Sequence, residues 1–131
     1  MPVTALDHVT IVTKNLNASR AFYIGLLGLE EVAWRPDFPF DGAWLKVGPN
    51  AVVHLMVANR DIGDGNTQPF DHFALKVENI NNTRRVLDEA GLSYREADPA
   101  SHIHQIFVDD PDGVTVELNF NTDQERAEGW V

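Results

Sequence analysis

One pattern occurs twice and limits the possible folds more than anything else in the chain. Asp7-His-Val-Thr-Ile-Val-Thr13 returns as Asp71-His-Phe-Ala-Leu-Lys-Val77, 64 residues later in a chain of 131. Each copy opens on an Asp-His pair, continues as a β-prone run and leads into an amphipathic helix that ends near a glycine. A chain made of two copies of one unit tends to place equivalent residues around a pseudo-twofold axis. Because the repeated residue is a histidine, a metal site is the first function to test.

The remaining elements follow the same order in both halves. Leu6 to Thr13 reads as a strand, rich in Val, Ile and Thr. Asn15 or Asn17 caps a helix whose apolar face includes Leu16, Phe22, Tyr23, Leu26 and Leu27, and Gly28 stops it. A second strand is expected over Leu29 to Arg35, then a loop from Pro36 to Asp41. A third strand runs from Ala43 to Val47, a turn covers Gly48-Pro-Asn50, and a fourth strand covers Ala51 to Ala58. Residues 59–69 read as a linker. Module 1 thus occupies about residues 5–58 and module 2 about 70–120 of one domain.

In module 2, Phe70 to Val77 is a strand and Ile80 to Ala90 a helix capped by Asn79 or Asn81 and closed at Gly91. Strands over Leu92 to Ala97, Ile103 to Asp109 and Val114 to Phe120 follow, with Asp98 to Ser101 a loop and Asp110-Pro-Asp-Gly113 a strong turn. The tail, residues 121–131, has the composition of a short helix. The fold class is α+β, two βαβββ modules.

Charge and cysteine content narrow the functions. Ten basic against twenty acidic residues give a formal net charge of −10, which opposes nucleic acid and an anionic membrane surface as partners. A small anionic ligand is not excluded, because local arginines can outweigh a distant field. The absence of cysteine excludes disulfides, thiolate ligands and a cysteine nucleophile, so any metal needs nitrogen and oxygen donors. No apolar run approaches a membrane span, and a cytoplasmic location is the expectation.

The turns set the two halves in register. Gly48-Pro-Asn50 precedes Val53-His-Leu55 as Pro111-Asp-Gly113 precedes Val116-Glu-Leu118. Four positions become equivalent in pairs: His8 with His72, and His54 with Glu117. All are ligand types for a divalent ion such as Zn, Ni, Co, Mn or Fe. Alternation along a strand puts His54 on one face with Val52 and Met56, and Glu117 on one face with Thr115 and Asn119. Each residue alone has an ordinary alternative: a strand histidine is usually a hydrogen-bonded residue, and Glu117 would face solvent at a sheet edge. Asp7 and Asp71 read as surface residues and His102 as loop polarity; His104 is within reach of the cleft.

Longer matches resemble a known family. Leu6-Asp-His-Val-Thr-Ile-Val12, Ala21-Phe-Tyr23 and Leu27-Gly-Leu29 resemble the opening of vicinal oxygen chelate proteins, the glyoxalase, bleomycin resistance and extradiol dioxygenase superfamily. Asp71 to Val77 and Phe107-Val-Asp-Asp-Pro-Asp-Gly-Val-Thr-Val-Glu-Leu118 resemble its second half. Phe40-Asp-Gly-Ala-Trp-Leu45 with Val53-His-Leu55 is most similar to glyoxalase I-type members. The resemblance implies an open, curled mixed sheet around a cleft, with His8, His54, His72 and Glu117 on the ligand positions. Two positions differ from glyoxalase I: His54 stands where Glu or Gln is usual, and Val12 where bacterial members tend to carry an arginine for glutathione.

The resemblance further implies a metal-dependent lyase or isomerase acting on a small substrate with vicinal oxygens through an enediolate-like intermediate. Glu117 is the expected proton carrier, with His54 a fourth ligand or a base beside the site. Arg35, Phe40, Trp44 and His104 are candidate pocket residues. A homodimer is the expected assembly. The rival readings are an extradiol-type dioxygenase and a drug-sequestering protein without catalysis.

Overall fold

The computed structural model describes residues 1, 4–63 and 70–129, and the chain divides into two compact units, Met1–Gly63 and Asp64–Val131. In the first unit β1 (Val9–Thr13), β2 (Glu30–Glu31), β3 (Gly42–Val47) and β4 (Asn50–Val57) form one sheet in the order β1-β4-β3-β2. β1 lies parallel to β4 and the other neighbours are antiparallel. In the second unit β5 (His72–Lys76), β6 (Tyr94–Ala100), β7 (Ile103–Asp109) and β8 (Thr115–Asn121) repeat this plan as β5-β8-β7-β6, again with the first and last strands parallel. The α+β fold of two βαβββ modules is therefore as the sequence predicts, its strands paired into two four-stranded mixed sheets. The linker expected over 59–69 includes 64–69, which lie outside the described residues.

Each sheet has a helix-side face of apolar residues and an opposite face on which the functional candidates sit. Ile11, Ala43, Leu45, Val53 and Leu55 are buried on the first sheet, and Ile106, Val108, Val116, Leu118 and Phe120 on the second. In α1 (Leu16–Arg20) the Asn15 side chain caps by accepting from the Ala18 amide at 3.0 Å. The helix continues as a π-helical turn, Ala21–Leu26, in which the adjacent Phe22 and Tyr23 are both buried. In α2 (Ile80–Glu89) Asn79 caps, and Ile80 and Leu87 face the core. The tail forms α3 (Thr122–Ala127), capped by Asn121.

Two expected elements differ. The second strand, expected over 29–35, is reduced to Glu30–Glu31 at the sheet edge. Leu29 turns into the core while the acidic pair stays in solvent, and beyond the Val32 amide, which donates to the Trp44 carbonyl, the chain leaves the sheet. Conversely β6 runs on through Asp98 and Pro99, where a loop is expected, with a register break between Ala97 and Ala100. Pro99 is accommodated because β6 is the outer strand, where a missing N–H need not cost a ladder bond.

Candidate functional site

In the first unit Thr10, His54 and Trp44 stand opposite one another across β1, β4 and β3. His8, two residues before Thr10, falls on the same face. The rings form a column: His54 stacks on His8 at 3.9 Å between centroids and 17° between planes, and on Trp44 at 4.1 Å and 9°. The orientation of each imidazole is set from outside the column. Asp7 Oδ2 lies 2.6 Å from His8 Nδ1, which leaves His8 Nε2 as the free nitrogen. His54 Nε2 lies 3.1 Å from the Ala51 carbonyl, to which it donates, so its Nδ1 carries the lone pair. Burial holds the pKa of His54 below that of an ordinary histidine, and the neighbouring His8 adds to this against the Ala51 bond and Asp7.

This face opens on a cavity of about 550 Å³ whose walls include His8, His54, Trp44, Phe38, Phe40 and Met56. Phe38 and Phe40 stack at 4.9 Å and 7°, and Phe38 meets Trp44 at 6.2 Å. The Arg35 guanidinium lies 5.0 Å from the Phe38 ring centre and 5.6 Å from that of Phe40, and Nη2 donates to the Phe40 carbonyl at 3.2 Å. Arg35 thus braces the aromatic loop, although its buried Nε has no hydrogen-bond partner among the described residues. At the foot of this loop only glycine fits position 42, because a Cβ there would sit 2.2 Å from the Leu55 carbonyl oxygen.

The second unit builds its counterpart from polar groups. Ala74 and Phe107 flank Glu117 in register, and His72 occupies the β5 position two residues before Ala74. His72 Nε2 lies 3.2 Å from Glu117 Oε1, and Asp71 Oδ2 lies 2.7 Å from His72 Nδ1. Glu117 is only 7% exposed, and its other oxygen accepts from the Asn119 amide at 2.6 Å. The Asp110-Pro-Asp-Gly113 turn aims β8: Asp110 Oδ1 accepts from the Asp112 and Val114 amides, and Gly113 takes a positive φ of 83°.

Both pairs of candidate ligands are thereby formed, His8 with His54 in one unit and His72 with Glu117 in the other. Among the described residues, no group of three or more His, Asp or Glu suited to a metal ion gathers within either unit. The donor chemistry of the pairs nevertheless fits a divalent ion. The 3.2 Å between His72 Nε2 and Glu117 Oε1 is close to the edge, about 3.3 Å, of a tetrahedron with metal–ligand bonds near 2 Å. The carboxylate on each first-strand Nδ1 is the outer partner that metal-binding histidines ordinarily have.

His104 requires a correction. It is buried on the face of β7 that carries Ile106 and Val108, opposite that of Phe107 and Glu117. There its Nδ1 meets Asp98 at 2.6 Å and its Nε2 meets Glu96 at 2.8 Å. It is one residue out of phase with the site and serves the packing of β6 on β7. Sequence reasoning also missed several contributors. Phe38 lines the cavity, Asn119 holds Glu117, and Asp7 and Asp71 orient the histidines they precede. The signal for the acids was present in the repeat itself, which conserves Asp-His as a pair within the chain.

Comparison with known proteins gives a consistent result. The model of the "Glyoxalase/Bleomycin resistance protein/Dioxygenase superfamily" matches residues 5–118. The chain is 31% identical over 136 aligned positions to a lactoylglutathione lyase of Salmonella typhimurium, covering 95% of this chain and 98% of that protein. It is 28% identical to glyoxylase I 4 of Arabidopsis thaliana, covering 88% of this chain and 70% of the other. Among solved structures, the fosfomycin resistance protein FosX of Listeria monocytogenes is similar in fold, with a TM-score of 0.71 at 18% identity, covering 95% and 99% of the two chains.

Proposed function

The chain belongs to the Glyoxalase/Bleomycin resistance protein/Dioxygenase superfamily, and we propose that within it the protein is a metal-dependent lyase or isomerase of glyoxalase I type, acting on a small substrate with vicinal oxygens. His8, His72 and Glu117 are the proposed ligands, with His54 the fourth. The observation that carries the reading is the duplicated pair: at equivalent positions of two equivalent sheets, two donor side chains share one face. In each unit an Asp carboxylate holds the first-strand imidazole through Nδ1.

When bound, the ion supplies Lewis acidity toward the two oxygens of the substrate. The chain's own residues do the rest. Asp7 and Asp71 fix the ring orientation of His8 and His72, which keeps Nε2 as the donor atom in each. Glu117 moves the proton: the Asn119 amide steadies Oε2, and Oε1 lies on the side of His72. A carboxylate placed within hydrogen-bond reach of the carbon acid meets the first requirement of a general base. His54, kept neutral by its partly buried setting, adds a lone pair at Nδ1 without adding charge.

The test is elemental analysis of protein purified without added metal, alongside the His72→Ala variant. Wild type should carry close to one divalent ion per site and the variant little, with turnover of an enolisable 2-hydroxy ketone lost in parallel. Metal content in the variant equal to wild type would refute the ligand assignment. The assembly proposed is a homodimer, to be read from the molar mass in solution. Among the described residues no helix is long and apolar enough to cross a membrane.

A further inference from the structure

We propose that the cavity of the first unit receives a flat, uncharged aromatic group, so that the substrate is an aryl-bearing compound with vicinal oxygens rather than an adduct of an anionic peptide. For the reacting oxygens this rests on the function proposed above; for the aromatic group it rests on the cavity alone. Three observations carry it.

The first is the arrangement of rings. His8, His54 and Trp44 form a column of near-parallel planes, with 17° and 9° between neighbours. Phe38 and Phe40 form a second parallel pair, 7° apart, which meets the column where Phe38 approaches Trp44 at a 48° tilt. Trp44, Phe38 and Phe40 are each only half-buried and line the cavity, so part of each ring remains available to a ligand. Flat rings pair with flat rings by offset stacking or edge contact, a preference that an alkyl chain does not satisfy in the same way.

The second is rigidity. Arg35 clamps the Phe38–Phe40 pair from the side and ties the Phe40 carbonyl, and Gly42 anchors the end of the loop against β4. A pre-formed aromatic wall loses little side-chain freedom when a ligand enters.

The third is charge. Among the described residues that line the cavity none is a lysine or an arginine, and the acidic one is Asp7. A glutathione-like adduct brings two carboxylates, which would find no cation in that lining, in a chain whose net charge is −10. A neutral aromatic group incurs no such repulsion. The cavity, about 550 Å³, is in the range that encloses most of a ring-bearing small molecule.

The experiment is isothermal titration of metal-loaded and metal-free protein with 2-hydroxyacetophenone, 1-hydroxy-2-butanone and glutathione. The aryl ketone should bind roughly tenfold tighter than the alkyl ketone in both forms, in line with one or two aromatic contacts. Glutathione at millimolar concentration should not displace it. In Phe40→Leu and Trp44→Leu, each checked by circular dichroism, the preference should fall to about threefold or less. Equal affinity for aryl and alkyl ketones in wild type would overturn the proposal without any variant, as would displacement by glutathione. An aryl preference in protein that takes up no divalent ion when one is supplied would leave this inference standing and remove the enzymatic reading instead.

Discussion

Glu125 offers the sharpest test of how the second unit is held together. Its carboxylate, 3% exposed, reaches from α3 to the start of α2, where Oε2 accepts from the Asn79 amide at 3.0 Å and Oε1 accepts from the Ile80 amide. These are first-turn amides of α2, which have no partner within the helix, and the positive end of the helix dipole favours an anion there. A hydrogen bond to a charged group contributes about 1.5–3 kcal/mol, and neighbouring bonds to one carboxylate are not additive, so Glu125→Ala should cost about 2–4 kcal/mol. Glu125→Gln, which keeps one acceptor and loses the charge, should cost about half as much. At roughly 3–5 °C per kcal/mol for a chain of this size, the Ala variant should melt about 6–20 °C lower. The assay is urea and thermal denaturation followed by circular dichroism, with hydrogen exchange read at Asn79 and Ile80. A Glu125→Ala protein within about 0.5 kcal/mol of wild type, or unchanged protection of those two amides, would refute the reasoning.

Other outcomes follow from the same geometry. Glu96 experiences burial that pushes its pKa up, but hydrogen bonds from Arg84 and His104 outweigh it and the net shift is downward from 4.5. Its contribution is therefore full above that value and is lost as pH falls through the lower folded pKa; in Glu96→Gln the loss of stability between neutral and acid pH should be shallower, as measured by urea midpoints. Gly42→Ala forces a methyl to 2.2 Å from the Leu55 carbonyl, so it should destabilise by about 2 kcal/mol or more and disturb Trp44 fluorescence. Asp71→Ala and Asp7→Ala should each weaken the proposed metal binding about 10–100-fold in chelator competition while leaving the far-ultraviolet spectrum unchanged. Affinity equal to wild type in both would remove the orienting role given to these acids.

What could be read from the sequence was whatever rests on period and turn chemistry. The Asp-His repeat, the asparagine caps and the Asp-Pro-Asp-Gly turn are local, and the structure places each of them as expected. Alternation along β4 and β8 correctly set His54 and Glu117 on the face away from the core, because one register fixes every side chain in a strand. His104 failed by that same rule: it lies an odd number of residues from Phe107, so proximity in sequence to the site-bearing strand counted for nothing. The short second strand was hidden because strand-forming composition in 29–35 competes with two acids and a nearby proline. Phe38 and Asn119 were hidden for another reason. Their roles depend on which rings and carboxylates approach from other strands, and no local pattern encodes that.

The duplication supplies equivalent positions, and the two units then use them differently. Trp44 and Phe107 occupy matching places beside His54 and Glu117. Met56 and Asn119 match in turn, each two residues beyond the candidate ligand on the same face. Where unit 1 places Met56, the candidate ligand is held by stacking between two rings, and the surroundings form an apolar cavity. Where unit 2 places Asn119, the candidate ligand is a carboxylate fixed by an amide at 2.6 Å and a histidine at 3.2 Å. Stacking holds a neutral ring in place but cannot stabilise an anion; an amide donor can. Glu117 is thus matched by the Asn119 donor as His54 is by its flanking rings, and a carboxylate at position 54 beside Met56 would be half-buried without such a donor. The double exchange Met56→Asn with His54→Glu should then be tolerated better than His54→Glu alone.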